Sequence, residues 1–434
     1  MHSIILLTSL SLHYVVQAEL AQQQIGSLLP VGWDYRLSTG KEASTPCSVS
    51  RSAAFEQSEG QVDFSVSTTE HLETPKLSQL NSSAWEQWEF DGVSDSGMAG
   101  VIMGFSRDAT YHFFGQGNLR VEFYMILEDG TVIQDLDYLQ ESTIITCQDS
   151  VTGIWNSSDR TYGFHVPKNM SRADVWWETS SSKGSLSIES DTPPHLADGK
   201  LWPSHAEDAT VEMAPSLYFN QPIAGGRVIV EHTRGKNRLQ ISGRGGHGRL
   251  WALDGWFNIC DGWDIIRASA GPYTLSMWRP VSRIHRGVPY YSGQLFKNGE
   301  LIVGTQVGQV SDTDDYVLLD SDYSGNVTGT LEDRSTGHTV RFVSPQSGKT
   351  WHFLVEHKRR KFNMGLGGGK GLTGFTNRVT GGEVGGEQYE GVGFSEQVAL
   401  PEEIKQWQIW VIYGIGFLGN WKNTIRNFVT DWVP

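Results

Sequence analysis

LRVEFYMILEDGTVIQDL, residues 119–136, is a β-hairpin written out in sequence. Two runs rich in β-branched and aromatic residues, Leu119 to Glu128 and Thr131 to Leu136, flank Asp129-Gly130, residue types that accept the positive φ a tight hairpin needs. The pattern repeats where Ser292 to Lys297 and Glu300 to Thr305 flank Asn298-Gly299, the dipeptide best suited to a type I′ turn. Further strand-like runs occur at Ala99 to Phe105, Arg227 to Glu231, Thr339 to Val343 and Trp351 to His357. With 49 glycines and 16 tryptophans, the composition suits many short strands joined by tight turns. A chain of 434 residues has room for two cores. The expectation is an all-β protein with domains at 84–225 and 226–400 and a boundary at Gly225-Gly226.

The flanks read differently. Residues 1–18 have the form of a signal peptide, with an apolar stretch from Ile4 to Leu12, a second from Tyr14 to Val16, and Val16-Gln17-Ala18 as a small-residue cleavage pattern. Sequons at Asn81, Asn156, Asn169 and Asn326 agree with a secretory-pathway protein. Of the three cysteines, Cys47 and Cys147 are the expected bridge, because Cys260 sits in an apolar stretch and reads as a buried thiol. Residues 19–83 form an extended arm, wrapped over the surface or partly ordered, whose segment from Leu37 to Leu80 is rich in Ser, Thr and Glu. Residues 401–434 form an apolar tail whose apolar run, Trp407 to Trp421, is shorter than the ~20 apolar residues of a spanning helix. It either docks on the second β-domain or rests at a membrane surface.

Charge and motif spacing exclude several function classes. The net charge of -15 repels phosphate backbones, so nucleic acid is not an expected partner. The basic run Lys358-Arg359-Arg360-Lys361 reads as the end of a strand on a solvated face. Gly243-Arg244-Gly245-Gly246-His247-Gly248 has dinucleotide-loop spacing but opens no helix, and His247 is expected to stabilise its own Gly-rich turn. Lys370 lies in a Gly-rich loop but lacks the following Ser or Thr of a phosphate loop. There is no metal-ligand spacing and no nucleophile elbow.

Six segments taken together carry more information: Ala84 to Ser94, Gly153-Ile154-Trp155, Pro215 to Tyr218, Arg249 to Trp256, Arg267 with Gly271-Pro272-Tyr273, and Tyr389 to Gly393. In this order they resemble the fungal Diels-Alderases that act on polyketide–amino acid hybrids, including decalin-forming and cytochalasan-type members. The resemblance spans roughly 83–400. It implies two lipocalin-like antiparallel β-domains, a polyene small-molecule substrate in a cleft between them, and a cofactor-free cyclisation. That chemistry suits the failed motif search, since a cycloaddition needs a shaped pocket and a fixed hydrogen-bond donor but no nucleophile.

Site expectations follow. On a strand, Glu86 and Trp88 share one face, with Trp85, Gln87 and Glu89 on the other. Glu86 is assigned to the cleft as a catalytic acceptor, Trp88 to the substrate-binding set, and Asp91 to a turn or bulge. A buried structural carboxylate against an Arg stays open for Glu86. The resemblance implies that Tyr218, Trp256 and Phe362 line the substrate pocket; core packing stays open for Tyr218 and Trp256. Where relatives carry a Tyr pair before the Arg, this chain has Trp263-Asp264-Ile265-Ile266, so Trp263 is expected to fill that space. Lys370 is named as the electrostatic donor, on a Gly-rich loop that also reads as a lid. Two rivals remain: a secreted carrier of an apolar ligand, and a terpenoid hydratase or cyclase using a raised-pKa acid, Glu86 or Asp264.

Overall fold

A computed structural model describes residues 47–110 and 117–402. The signal peptide, the start of the arm and nearly all of the apolar tail lie outside the described residues. What is described is almost entirely antiparallel sheet. The first sheet, a half-barrel, runs in the order Ser48–Ala53, Glu141–Thr146, Ser150–Ser157, Arg160–Pro167, Arg172–Glu178, Lys183–Ser190, Leu217–Arg234, Asn237–Ala252, Trp85–Ser94, Gly100–Asp108, Leu119–Ile126 and Val132–Tyr138. The second is a nearly closed barrel running Glu300–Thr305, Ser292–Lys297, Tyr273–Ser282, Cys260–Ala270, Tyr389–Ala399, Lys370–Glu383, Lys349–Gly367, Gly337–Ser344 and Tyr316–Asp322. Its ends approach one another, and Val317 N–H donates to the Val307 carbonyl.

Both hairpins form as their turn residues dictate. Leu119–Ile126 pairs with Val132–Tyr138, and Asn298 and Gly299 hold φ of 52° and 83°, both positive as a type I′ turn requires. The expected boundary at Gly225-Gly226 instead falls inside the continuous strand Leu217–Arg234. Glycine is required there by close approach: a Cβ on Gly225 would lie 2.3 Å from the Thr274 methyl of the second sheet. The change of sheet comes at 253–259, where the one-turn helix Trp256–Ile259 leads into Cys260–Ala270.

Alternation along the strands sorts the apolar residues into three main cores, because successive side chains point to opposite faces. Trp88, Phe90 and Phe105 fill the concave side of the first sheet; Trp85, Trp256, Trp263 and Phe394 fill the seam between sheets; Ile266, Leu275, Phe342 and Phe353 fill the second barrel. Part of the described arm is buried rather than laid over the surface. Leu72, Glu73 and Lys76 are buried, and the indole N–H groups of Trp202 and Trp251 donate to the Glu70 and Ser65 carbonyls. Cys47 and Cys147 form the disulfide, and Cys260 is a buried free thiol.

Candidate active site

The strand Trp85–Ser94 has the second sheet on one side and the arm on the other, so its two faces serve different purposes. The expected alternation holds, and Glu86 faces the arm rather than the second sheet. Glu86 points to the arm side, where it meets Arg107 Nη1 at 3.5 Å and Arg249 Nη2 at 3.3 Å and accepts the Lys76 backbone N–H at 2.8 Å. It is a structural carboxylate, lining a polar cleft of about 400 Å³ with Arg107 and Ser50. Trp88 is fully buried in the first core under the Arg249 guanidinium, 3.7 Å from its ring. Tyr218 also packs on the arm side, against Phe64 and Trp251.

The seam face carries Trp85, Glu89 and Asp91. Asp91 sits mid-strand, not in a turn or bulge, and pairs with Arg267 of the second sheet. That approach needs glycine opposite: a Cβ on Gly246 would lie 2.6 Å from the Arg267 side chain. The dinucleotide-like run is thus part of the strand Asn237–Ala252, and His247 sits on Phe90, bonded to the Glu89 carbonyl and to Glu73 at 2.9 Å each.

Trp256, Trp263 and Phe362 all lie in the core between the sheets. Trp85 stacks on Trp256 at 4.2 Å, Trp256 lies 4.4 Å from Trp263, and Phe362 stacks on Tyr124 at 4.8 Å. The Trp263 indole N–H donates to Glu396 Oε1 at 2.9 Å. Lys370 is half-buried at the hairpin turn after Gly367; the cation that enters the seam is Lys361. Register shifts at His357/Arg359 and Arg360/Phe362 turn both Lys361 and Phe362 inward, so the basic run does not end on a solvated face. Lys361 Nζ donates to the Val101 carbonyl at 3.1 Å and lies 4.0 Å from the Phe394 ring.

Burial dominates the electrostatics here. It pushes Lys361 down to about 7 and Arg267 down to about 10, and raises Glu396 to about 8 with help from the facing Glu89 carboxylate. Glu89 is raised for the same reason, opposed by Arg267 and Lys361. The acids raised by burial are Glu89 and Glu396, while Glu86, named in the hydratase reading, is paired with Arg107 and Arg249. Asp264 is closed in a bonded pair with Arg279. An aromatic wall ending in partly uncompensated polar groups can hold an apolar chain and polarise a carbonyl at its end.

Residues 44–401 match the family model described as Diels-Alderase-like. The chain belongs to that family. It is 55% identical over 418 residues, 94% of each chain, to Diels-Alderase mycB of Thermothelomyces thermophilus, and 46% identical to hexane cyclase xenF of Xenoacremonium sinensis, covering 93% of each. The fold is similar to the crystal structure of CghA with Sch210972, with TM-score 0.70 and 24% identity over 82% of this chain and 99% of that one. As a Diels-Alderase-like protein with cyclase relatives, it is a pericyclase.

Proposed function

We propose that this pericyclase folds a linear polyene, joined to an amino acid-derived head of tetramate or pyrrolone type, in the seam and directs its intramolecular [4+2] cycloaddition to one stereoisomer without a cofactor. The observation that carries this reading is the joining of the Trp85–Trp256–Trp263 wall to the Lys361, Glu89 and Glu396 cluster. The wall selects one folded form of the chain, an effect that reaches ~7–11 kcal/mol in the best-oriented systems. The cluster places donors on the head carbonyl, which withdraws electron density from the conjugated alkene as the transition state forms. Deleting the gene and comparing extracts by mass spectrometry and NMR tests it. The expected result is an uncyclised polyene, or a mixture of stereoisomeric cycloadducts of unchanged mass. An unchanged cycloadduct in lower secreted yield would favour the carrier, and an accumulated precursor lighter than the product by one water would favour the hydratase.

The same proposal places maturation in the secretory pathway. The Cys47–Cys147 disulfide suits an oxidising lumen, and Asn169 and Asn326 are exposed. A mobility shift on glycosidase treatment is expected; no shift, with Cys47 and Cys147 both free to alkylation, would overturn it. Surface attachment through 401–434 is tested by its deletion, with loss of sedimentation with microsomes expected and an unchanged distribution against it.

A further inference from the structure

The charges buried in the seam do not balance. Arg267 closes on Asp91, and Arg120 Nε closes on Glu122 at 2.7 Å. Glu89 and Glu396 both face Lys361, whose Nζ rests on the Val101 carbonyl and makes no ion pair with either, and Glu89 also faces Arg267, which is already closed on Asp91. Among the described residues, Glu89 Oε1 has no hydrogen-bond partner, and the bond to Glu396 comes from Trp263. Carboxylates outnumber cations in this buried site, an arrangement that is costly, and a proton on one of them relieves it.

The surroundings settle where the proton sits. Glu89 faces two cations, Arg267 and Lys361. Glu396 has Glu89, a like charge, as its strongest charged neighbour and Lys361 only as its weakest. Trp263 occupies Oε1, leaving the other carboxyl oxygen to carry the hydrogen. Because Trp263 packs on Trp256, that carboxyl is fixed at the end of the aromatic wall, where the head of a chain lying on the wall arrives.

Resting on the function proposed above, we propose that Glu396 is a catalytic residue acting as a neutral acid, donating its O–H to the carbonyl conjugated with the dienophile while Glu89 stays ionised. No bond to hydrogen breaks; the proton remains on Glu396 as the two carbon–carbon bonds form. A carboxylic acid kept neutral by an apolar site is an effective donor because charge grows on its acceptor only in the transition state. Burial and the Glu89 charge, which push Glu396 up to about 8, agree with this assignment.

Infrared spectroscopy of the purified protein tests the protonation without any substrate. At pH 7 a protonated-carboxyl band is expected, absent in Glu396→Gln; a spectrum showing only carboxylate, or a band that persists in Glu396→Gln, overturns the proposal. For catalysis, the deletion host is complemented with variants and the ratio of cycloadduct to open polyene is read. Glu396→Leu removes a buried ionisable group, so it should fold with an undiminished melting temperature yet lose about 100-fold in cyclisation. Glu396→Gln, which retains a neutral donor, should lose less. Cyclisation by Glu396→Leu at the wild-type ratio overturns the donor role. If the deletion host itself still makes one cyclised stereoisomer, the functional reading fails and the catalytic role with it, whatever the infrared band shows.

Discussion

The two faces of the strand Trp85–Ser94 each bury a charge cluster, and the clusters are built on opposite principles. On the arm side, Glu70, Glu73 and Glu86 meet Lys76, Arg107 and Arg249, and most contacts are direct: Lys76 to Glu70 at 3.3 Å, Glu86 to both arginines, and Glu73 to His247. On the seam side, Glu89 and Glu396 share a single lysine that touches neither. A balanced, bonded network fixes one arrangement of backbone, whereas an unbalanced one keeps groups whose protonation and hydrogen bonding a substrate can complete. Two acids of one strand thus divide the work: Glu86 fastens the arm, and Glu89 faces the seam.

The contrast can be broken most severely at Glu86. Glu86→Ala leaves Arg107 and Arg249 without their shared carboxylate, and a loss of about 3–5 kcal/mol in urea unfolding is expected. The folded fraction should still give the normal isomer ratio; a changed ratio would mean that the arm-side cluster also shapes the substrate. Trp256→Ala strikes the seam instead. A cost of about 3 kcal/mol should accompany a slower cyclisation and a shifted stereoisomer ratio, since the wall loses its middle ring. Loss of rate at a constant ratio would point to activation without templating.

Acid should separate the two sides next. Burial and the nearby Lys76 lower His71 of the arm from 6.5 to about 4, so between those values the unfolded chain binds a proton that the native state does not. Its contribution is complete above pH 6.5 and is lost on acidification, about 3 kcal/mol over the window, and His71→Gln should remove that part of the slope. Glu396 has the opposite sign. With its native pKa raised to about 8, it contributes fully below the unfolded value of 4.5 and loses that contribution as pH rises through 8. Denaturation curves of His71→Gln and Glu396→Gln against pH should therefore diverge from wild type in opposite directions. Parallel curves would remove the distinction between the clusters. Smallest of all is Lys370→Ala, expected within about 0.5 kcal/mol and without effect on the isomer ratio, because the seam takes its cation from Lys361.

Local chemistry made much of this legible. Asp129-Gly130 and Asn298-Gly299 announce their hairpins because turn geometry is written in two residues. Trp256 and Phe362 were placed by resemblance and Trp263 by a departure from it; Trp256 packs on Trp263, and all three belong to the seam core. What sequence could not supply was which face of an alternating strand meets the second sheet, and that single choice exchanged Glu86 for Glu89 and Asp91. The run 358–361 looked solvated because charge favours water, and only two register shifts within six residues bring Lys361 inside. Gly225 and Gly246 read as a linker and a turn, whereas each is small because another sheet presses on it. Glu396, one of two acids in the strand Tyr389–Ala399, gives no sequence signal that sets it apart from the exposed Glu390.

The buried arm bears on how the chain assembles. Glu73 bonds to a histidine 174 positions later, and the Thr74 carbonyl accepts from an arginine 175 positions later, so this segment leaves the ribosome long before its partners exist. Contacts so distant in sequence form late and slowly. Cys147, by contrast, follows Cys47 by 100 residues and joins the arm's start to a neighbouring hairpin before the strand Asn237–Ala252 has been synthesised. The covalent bond thus acts as a tether during biosynthesis, keeping the arm beside the half-barrel until the strand that completes its binding groove arrives.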